Sequence, residues 1–126
     1  MKKLIYLLVI TIIFAACASK KDYIVTGSIE GGVEGGIVYL SFVEKGSFVN
    51  IDSSVIKNGV FTFKGRQDTV VNCYVRSKEK VGNTNRKLYG DFFLENGEIN
   101  IIITTKGSTV SGTPNNDAYQ AIRNEM

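Results

Sequence analysis

The sequence contains no histidine, and this absence removes a wide range of chemistry. Histidine is the commonest general base at neutral pH and the commonest metal ligand. Nucleophile pairs of the serine-histidine and cysteine-histidine types are therefore excluded. No other residue pattern replaces them, so the sequence predicts a non-enzymatic protein with no catalytic residue, no bound metal and no cofactor.

Cysteine is also scarce, because Cys17 and Cys73 are the only two in the chain. Cys73 lies in an apolar, strand-like segment and is predicted to be a small buried hydrophobe, with a reactive or intermolecular thiol as the alternative. If Cys17 carries the modification predicted below, Cys73 can form neither an internal disulfide nor a Cys-x-x-Cys redox pair. Zinc sites built on several cysteines are excluded for the same reason.

The first 17 residues have the pattern of an export signal. Lys2 and Lys3 precede an apolar run, residues 4–16, which is shorter than the roughly 20 residues that a membrane-spanning helix needs. A basic start, a short apolar centre and small residues before a cut are typical of a cleaved signal peptide. The segment Phe14-Ala15-Ala16-Cys17 resembles the bacterial lipobox, usually Leu-Ala-Gly/Ala-Cys, with Phe14 in place of the usual leucine.

The lipobox resemblance implies cleavage before Cys17 and attachment of acyl chains to this cysteine. One acyl chain binds a membrane only weakly, whereas two or more give stable anchoring. Ala18 and Ser19 follow Cys17, and no acidic cluster follows them. We therefore expect a lipid-anchored protein at the outer membrane of a Gram-negative cell, facing the periplasm. The alternatives are an ordinary cleaved signal with an incidental cysteine, or an uncleaved anchor.

The charge of the chain gives no indication of a nucleic-acid partner. The formal charge is +3, and it falls to +1 when Lys2 and Lys3 leave with the signal peptide. One basic group consists of Lys78, Lys80, Arg86 and Lys87. We interpret it as part of a solvated loop, and the alternative is a surface that contacts anionic headgroups or a partner.

Strand-like segments separated by glycine-containing turns begin at residue 23. The predicted strands cover residues 23–29, 37–42, 48–56, 60–64, 70–77, 88–94, 98–104 and 108–111. Asn58-Gly59 and Asn96-Gly97 each predict a hairpin, because a type I′ turn needs positive φ at both central residues. In the second hairpin, Phe92 and Leu94 are expected to pair with isoleucines of the next strand. The sequence thus predicts an all-β antiparallel sandwich or open barrel of about seven or eight strands.

A helix is predicted after the last strand. Thr113 is the expected N-cap, Pro114 the first helical residue, and Asp117 complements the dipole in the first turn. The helical stripe continues to Met126 without a glycine cap, which predicts either a truncated gene product or the start of a connector in a longer architecture. The expected organisation is a signal peptide (1–16), a lipidated tether (17–22), a β-sandwich domain (23–112) and the start of a helical connector (113–126).

Several polar and aromatic groups have both a functional and a structural interpretation. The glycines of loop 30–36 are interpreted as a flexible hairpin loop instead of a phosphate cradle, because a strand follows them. Asp52 with Ser53 is interpreted as structural instead of catalytic, because no base is available and Ser53 lies on a strand. Glu95 and Glu98 flank a turn and are interpreted as solvated charges instead of a catalytic pair. Most of the aromatic residues are candidates for the core, and a sugar-binding stripe is the alternative, although the absence of tryptophan weakens it. These aromatic candidates are Tyr39, Phe42, Phe61, Phe63, Tyr74, Tyr89, Phe92 and Phe93.

Five segments of the chain resemble the N-terminal domain of lipoproteins in the thiol-disulfide interchange group. They are residues 23–31, 37–40, 51–65, 92–97 and 111–117. In that group a lipobox precedes a small all-β domain of unassigned function, a helical connector, and a thioredoxin-like or peroxiredoxin-like domain. This chain has no Cys-x-x-Cys, so no redox role passes to any of its residues.

This resemblance implies a non-enzymatic accessory or interaction domain. Its expected partners are the membrane, through the lipid anchor, and a thioredoxin-like domain or another envelope protein. A ligand-binding sandwich for a glycan or a peptide is the alternative.

Overall fold

The computed structural model describes residues 22–79 and 87–126. Within them, the strands lie close to their predicted limits and precede one helix: β1 (Tyr23–Ile29), β2 (Ile37–Glu44), β3 (Ser47–Val55), β4 (Phe61–Gly65), β5 (Val71–Ser77), β6 (Tyr89–Leu94), β7 (Gly97–Thr104), β8 (Gly107–Ser111) and α1 (Pro114–Asn124). The predicted all-β sandwich is confirmed.

The strands form two four-stranded sheets. The first sheet has the order β4-β1-β7-β8, and the second has the order β3-β2-β5-β6. Strand β1 is antiparallel to β4 and parallel to β7, while the other neighbours within the sheets are antiparallel. The predicted antiparallel pairing is therefore wrong for β1 and β7, because β7 enters the first sheet from β6 in the second sheet and runs in the same direction as β1. The sheets therefore leave four edge strands, β4 and β8 in the first and β3 and β6 in the second.

The first predicted hairpin is correct only at its turn. Asn58 and Gly59 have φ values of 55° and 79°, as a type I′ turn requires. Lys57 and Val60 exchange backbone hydrogen bonds of 2.9 and 3.0 Å across it. The pairing ends there, because β3 joins β2 while β4 joins β1 in the opposite sheet. The turn thus redirects the chain from one sheet to the other.

The second predicted hairpin and the predicted hairpin loop at 30–36 are wrong. Strand β6 pairs with β5, whereas β7 pairs with β1 and β8, so Asn96-Gly97 is a crossover between sheets. Loop 30–36 likewise connects β1 and β2, which lie in different sheets. The physical reason is burial, because strand faces rich in Ile, Phe and Leu bury more apolar surface by facing each other across the sandwich than by pairing side by side.

The core lies between the two sheets and follows the alternation along each strand. In β7, Ile99, Ile101 and Ile103 are buried, whereas Ile102 faces solvent and is 54% exposed. The opposite sheet contributes, among others, Leu40, Val75, Phe92 and Leu94. Burial of one such side chain stabilises the fold by about 1.5–3 kcal/mol.

Helix α1 begins as predicted and packs against the edges of β6 and β8. Thr113 occupies the N-cap position and Pro114 the first turn, although the Thr113 hydroxyl does not cap a helical N–H group. Asp117 instead accepts a 2.9 Å hydrogen bond from the backbone N–H of Gly112. In the described part of the chain, no helix combines the length and apolarity needed to span a membrane.

Candidate functional site

The predicted lipid-attachment residue, Cys17, lies outside the described residues, as do Lys80 and Arg86 of the basic group. Lys78 and Lys87, the other two members of that group, are exposed.

Cys73 is buried in the core at 0% exposure, as predicted. Its removal from water raises the pKa of the thiol to about 11. It also lines a mostly apolar pocket of about 220 Å³ with Phe42 and Leu94. Because the thiolate is the reactive form, this cysteine is protected from thiol chemistry at neutral pH.

The candidate carboxylates are engaged in local contacts. Glu95 accepts hydrogen bonds from the backbone N–H of Asn115, at 3.1 Å, and from its side-chain amide, at 2.9 Å. Asp52 accepts the backbone N–H of Ser53 at 2.8 Å, and Glu98 is exposed on β7. Within residues 22–79 and 87–126, His, Cys, Asp and Glu side chains form no cluster that could hold a metal ion.

The outer face of the second sheet carries a row of aromatic side chains. Phe48 contacts Tyr74 edge to face, with 5.3 Å between ring centroids, and Tyr74 lies 6.2 Å from the ring of Tyr89. Phe48 is 46% exposed and Tyr89 61% exposed. Phe61, Phe63 and Phe92 belong to the core. Of the other candidates, Phe42 is partly buried against the core, Tyr39 is half-buried, and Phe93 contacts the ring of Tyr119 on the helix, with 5.2 Å between ring centroids.

Arg76 is fixed beside this row by a polar network. Its Nε donates to the Ser41 hydroxyl at 3.3 Å, and its Nη2 donates to Asn50 Oδ1 at 2.9 Å. Ser41, which is fully buried, donates to the same Asn50 oxygen at 2.6 Å. The guanidinium carbon lies 4.2 Å from the centroid of the Phe48 ring, a cation-π contact. This arrangement holds the guanidinium in one orientation before any ligand arrives.

These residues form a cleft of about 380 Å³, lined by Phe48, Tyr74, Arg76, Ser77, Lys87, Leu88 and Tyr89. Within residues 22–79 and 87–126, no carboxylate forms a salt bridge with Arg76. The cleft thus combines apolar aromatic surface with two cationic side chains. Such a combination suits a ligand that carries both an apolar group and a negative charge.

Helix α1 closes much of the open side of the sandwich with side chains that replace a neighbouring strand. Asn116 accepts the N–H of Phe93 and donates to its carbonyl oxygen, both at 2.8 Å. Gln120 accepts the N–H of Val110 at 3.0 Å, and Arg123 Nη2 donates to the carbonyl oxygen of Ser108 at 2.7 Å. Both edge strands β6 and β8 are thus bonded to the same helix, as buried backbone groups require.

A second cleft, of about 390 Å³, lies beside this helix. It is lined by Lys87, Leu88, Tyr89, Gly90, Asp91, Thr104, Thr105, Lys106, Gly107, Ser108 and Arg123. Tyr119 donates its hydroxyl to Asp91 at 2.5 Å, and this bond is the main reason that the pKa of Tyr119 is raised. Lys87, Leu88 and Tyr89 line both clefts, so the two clefts lie next to each other at the start of β6.

The sequence did not predict a role for five residues of this region: Phe48, Arg76, Lys106, Asn116 and Arg123. Strand alternation could place Arg76 on the same face as Tyr74, but its contacts with Ser41 and Asn50 depend on the pairing of β2 with β5 and β3. Asn116 is a polar residue of the predicted helix, yet its side chain is fully buried. Its role depends on the docking of the helix, which no local pattern indicates.

Comparison with known proteins assigns the chain to a family. A search of curated proteins found no match. A family model described as a domain of unknown function, DUF4369, matches residues 23–119, which include all eight strands and the first half of α1. Because the match covers most of the chain, the protein belongs to the DUF4369 family of domains of unknown function.

Proposed function

We propose that this chain is a lipid-anchored accessory or interaction domain of the bacterial cell envelope, held at the outer membrane and facing the periplasm through Cys17. The observation that carries the proposal is the order of features in the chain. A lipobox-like segment ends at Cys17, and the matched family domain begins at residue 23. Such an order is typical of a folded domain on a short lipidated tether.

The start of the fold supports a short tether. Asp22 accepts a 3.2 Å backbone hydrogen bond from Gly97, and its carboxylate lies 3.9 Å from Arg66. An extended residue spans at most about 3.6 Å, so residues 17–22 keep the sandwich within about 20 Å of the membrane surface.

The proposal assigns binding and positioning to this domain, without a catalytic step. The buried thiol of Cys73, with its pKa raised to about 11, is unsuited to thiol-disulfide exchange. The expected partner is a thioredoxin-like domain, as the resemblance to the thiol-disulfide interchange lipoproteins implies. The gene sequence beyond Met126 tests this association. A following thioredoxin-like segment with Cys-x-x-Cys supports the accessory role, and its absence favours a stand-alone binding module.

Metabolic labelling tests the anchor. Cells that express the wild-type chain with labelled palmitate should yield labelled protein, and Cys17→Ala should remove the label. Cys73→Ala is the matched control, because it also removes a cysteine and should keep the label. Label that persisted in Cys17→Ala would contradict the proposed anchor.

A second candidate function, binding of a glycan or peptide by the sandwich itself, is favoured by the aromatic row and its fixed arginine. Phe48, Tyr74 and Tyr89 provide the apolar faces, and Arg76 provides directed donors. A thermal-shift screen of glycans and peptides tests it. A specific hit should be lost in Tyr89→Ala, because this ring is largely exposed and its removal should leave the fold intact.

A further inference from the structure

Strand β6 is an edge strand of the second sheet. The N–H and C=O groups of its successive residues point alternately toward β5 and toward the free edge. The N–H of Ser77 donates to the carbonyl oxygen of Leu88 at 3.1 Å, which places Leu88 on the β5 side. In an antiparallel ladder, every second residue bonds to the same neighbour. Tyr89, Asp91 and Phe93 therefore direct their backbone groups to the free edge.

The helix closes this edge only at Phe93, where Asn116 bonds to both backbone groups. The edge-facing N–H and C=O groups of Tyr89 and Asp91 have no such partner in the described part of the chain. They lie at the second cleft, whose lining includes both residues. Exposed edge groups of this kind can pair with an extended peptide by strand addition.

The side chains around this open edge are mainly cationic. Lys87, Lys106 and Arg123 line the cleft, against the carboxylate of Asp91. Asp91 already accepts the Tyr119 hydroxyl. Glu30 accepts a hydrogen bond from the N–H of Thr105 at 2.7 Å, and this bond is the main reason that its pKa is lowered, with a smaller contribution from the charge of Lys106. The three cations thus outnumber the two carboxylates, Asp91 and Glu30. The charge balance therefore favours an acidic ligand over a basic one.

Arg123 carries a donor that the fold leaves unused. Its Nη1 atom is buried and is the one such side-chain atom without a hydrogen-bond partner in residues 22–79 and 87–126. Its Nη2 atom holds Ser108, and the guanidinium carbon lies 5.1 Å from the Tyr119 ring centroid. A buried donor without an acceptor lowers the stability of the fold. If the guanidinium rotates slightly, a carboxylate in the cleft can accept a hydrogen bond from Nη1 and remove this penalty.

The position of the open edge also suits an incoming partner. Strand β1 begins at Tyr23, next to Asp22 where the tether joins, and ends at Ile29, which is aligned with Ile103 near the end of β7. The cleft includes the β7–β8 turn that follows, so it lies at the end of the sandwich opposite the tether. A partner can therefore reach it without approaching the membrane surface.

We propose that the open part of the β6 edge, at Tyr89 and Asp91, binds a short acidic peptide as an added strand. Backbone hydrogen bonds to these two residues align the peptide, and its carboxylates lie among Lys87, Lys106 and Arg123. This inference rests on the proposed role as an interaction domain and names the surface and the chemistry of the partner. Its test measures binding in solution, so its failure would leave the labelling test of the anchor unaffected.

The probe is the blocked peptide Glu-Val-Glu-Val-Glu-Val, titrated by calorimetry into the full-length chain in a non-ionic detergent at low salt. Binding should weaken about tenfold in the double variant Lys87→Gln/Lys106→Gln, since two partly exposed ion pairs are lost. Lys57→Gln/Lys64→Gln is the matched control, because it removes the same charge from exposed lysines near the opposite edge. Its affinity should stay within about twofold of the wild type.

Two N-methylated peptides test the strand geometry. Methylation of the three glutamate amides or of the three valine amides removes donors from only one side of an extended peptide. Strand addition predicts that one of these peptides loses binding while the other retains it. Equal effects of the two methylation patterns, equal weakening by both lysine pairs, or no binding of the acidic peptide would overturn the proposal. Preferential binding of an oligogalacturonate over the peptide would also overturn it, in favour of an acidic glycan.

Discussion

At the scale of single residues, one buried amide and one arginine shape the candidate surface. Asn116 replaces a missing strand at Phe93, and Arg76 lies fixed over Phe48 by its bonds to Asn50 and Ser41. Asn116 thereby pairs two backbone groups at the sheet edge, and Arg76 adds two donors to the Ser41–Asn50 pair. The edge of β6 and the aromatic face thus owe their shapes to polar contacts as much as to apolar packing.

Asn116→Ala should destabilise the fold by about 3 kcal/mol, because it leaves the N–H and C=O groups of Phe93 without partners in a buried setting. Chemical denaturation of the two proteins measures this difference. Asn124→Ala removes an exposed asparagine at the end of the same helix and should change the free energy of unfolding by less than about 0.5 kcal/mol. Equal effects of the two substitutions would contradict the proposed closure of the edge.

Tyr119→Phe should change how stability depends on alkaline pH. The bond to Asp91 and burial raise the pKa of Tyr119 above 10.0, so the folded state retains this proton more strongly than the unfolded state. The resulting stabilisation is fully present below pH 10 and is lost as pH rises from 10 through the pKa of the folded protein. Tyr119→Phe keeps the ring but removes this contribution.

Urea denaturation of the wild type and Tyr119→Phe at several pH values measures the effect. The wild type should be the more stable protein at pH 8, and the difference should shrink above pH 10. The comparison isolates Tyr119 from Tyr23, whose pKa is also raised, chiefly by burial. If the difference in the free energy of unfolding stayed constant up to pH 12, the hydrogen bond from Tyr119 to Asp91 would not affect the titration of Tyr119, which would contradict this prediction.

At the scale of strands and helices, the sequence predicted which elements form better than how they pair. Alternation and turn residues depend on neighbours in the chain, and they located the eight strands and α1 closely. Asn58-Gly59 has the predicted turn geometry, yet its two strands enter different sheets. Pairing depends on which faces bury each other across the sandwich, and this long-range choice leaves no local signal.

The same distinction applies to the candidate surface. Tyr74, Tyr89 and Lys87 were named as candidates from the sequence, whereas Phe48 and Lys106 were not. The sequence also did not indicate that Tyr89 and Phe48 share one face with Tyr74. That placement needs the β2–β5 and β5–β6 pairings. Arg123 meets Ser108 only because the helix folds back onto β8.

The parallel pairing of β1 with β7 should be sensitive to Gly27. A Cβ atom at this position would lie 2.6 Å from Cγ2 of Ile101 and would overlap its carbonyl oxygen, so Gly27→Ala should destabilise the fold by about 3 kcal/mol. Gly46→Ala is the matched control, since its Cβ would meet open space and only the φ of 80° opposes it, at about 1 kcal/mol. Thermal unfolding of both variants measures the difference, and the reverse order would contradict this β1–β7 packing.

At the scale of the whole molecule, the two ends of the sandwich differ. Asp22 brings in the proposed tether at one end, beside Arg66 and Gly97. The second cleft, beside Tyr89, lies toward the other end at the β7–β8 turn. A short tether and a distal surface together suit a domain that holds a partner at a fixed distance from a membrane, which is the function we propose.

Intact-mass spectrometry of the chain extracted from membranes tests the proposed anchoring most directly. The account predicts a protein that begins at Cys17 and carries the added mass of a diacylglycerol and one amide-linked acyl chain. Cys73→Ser should carry the same added mass, whereas Cys17→Ser should carry none. A wild-type chain without acyl mass, whether cleaved elsewhere or left whole, would contradict the account.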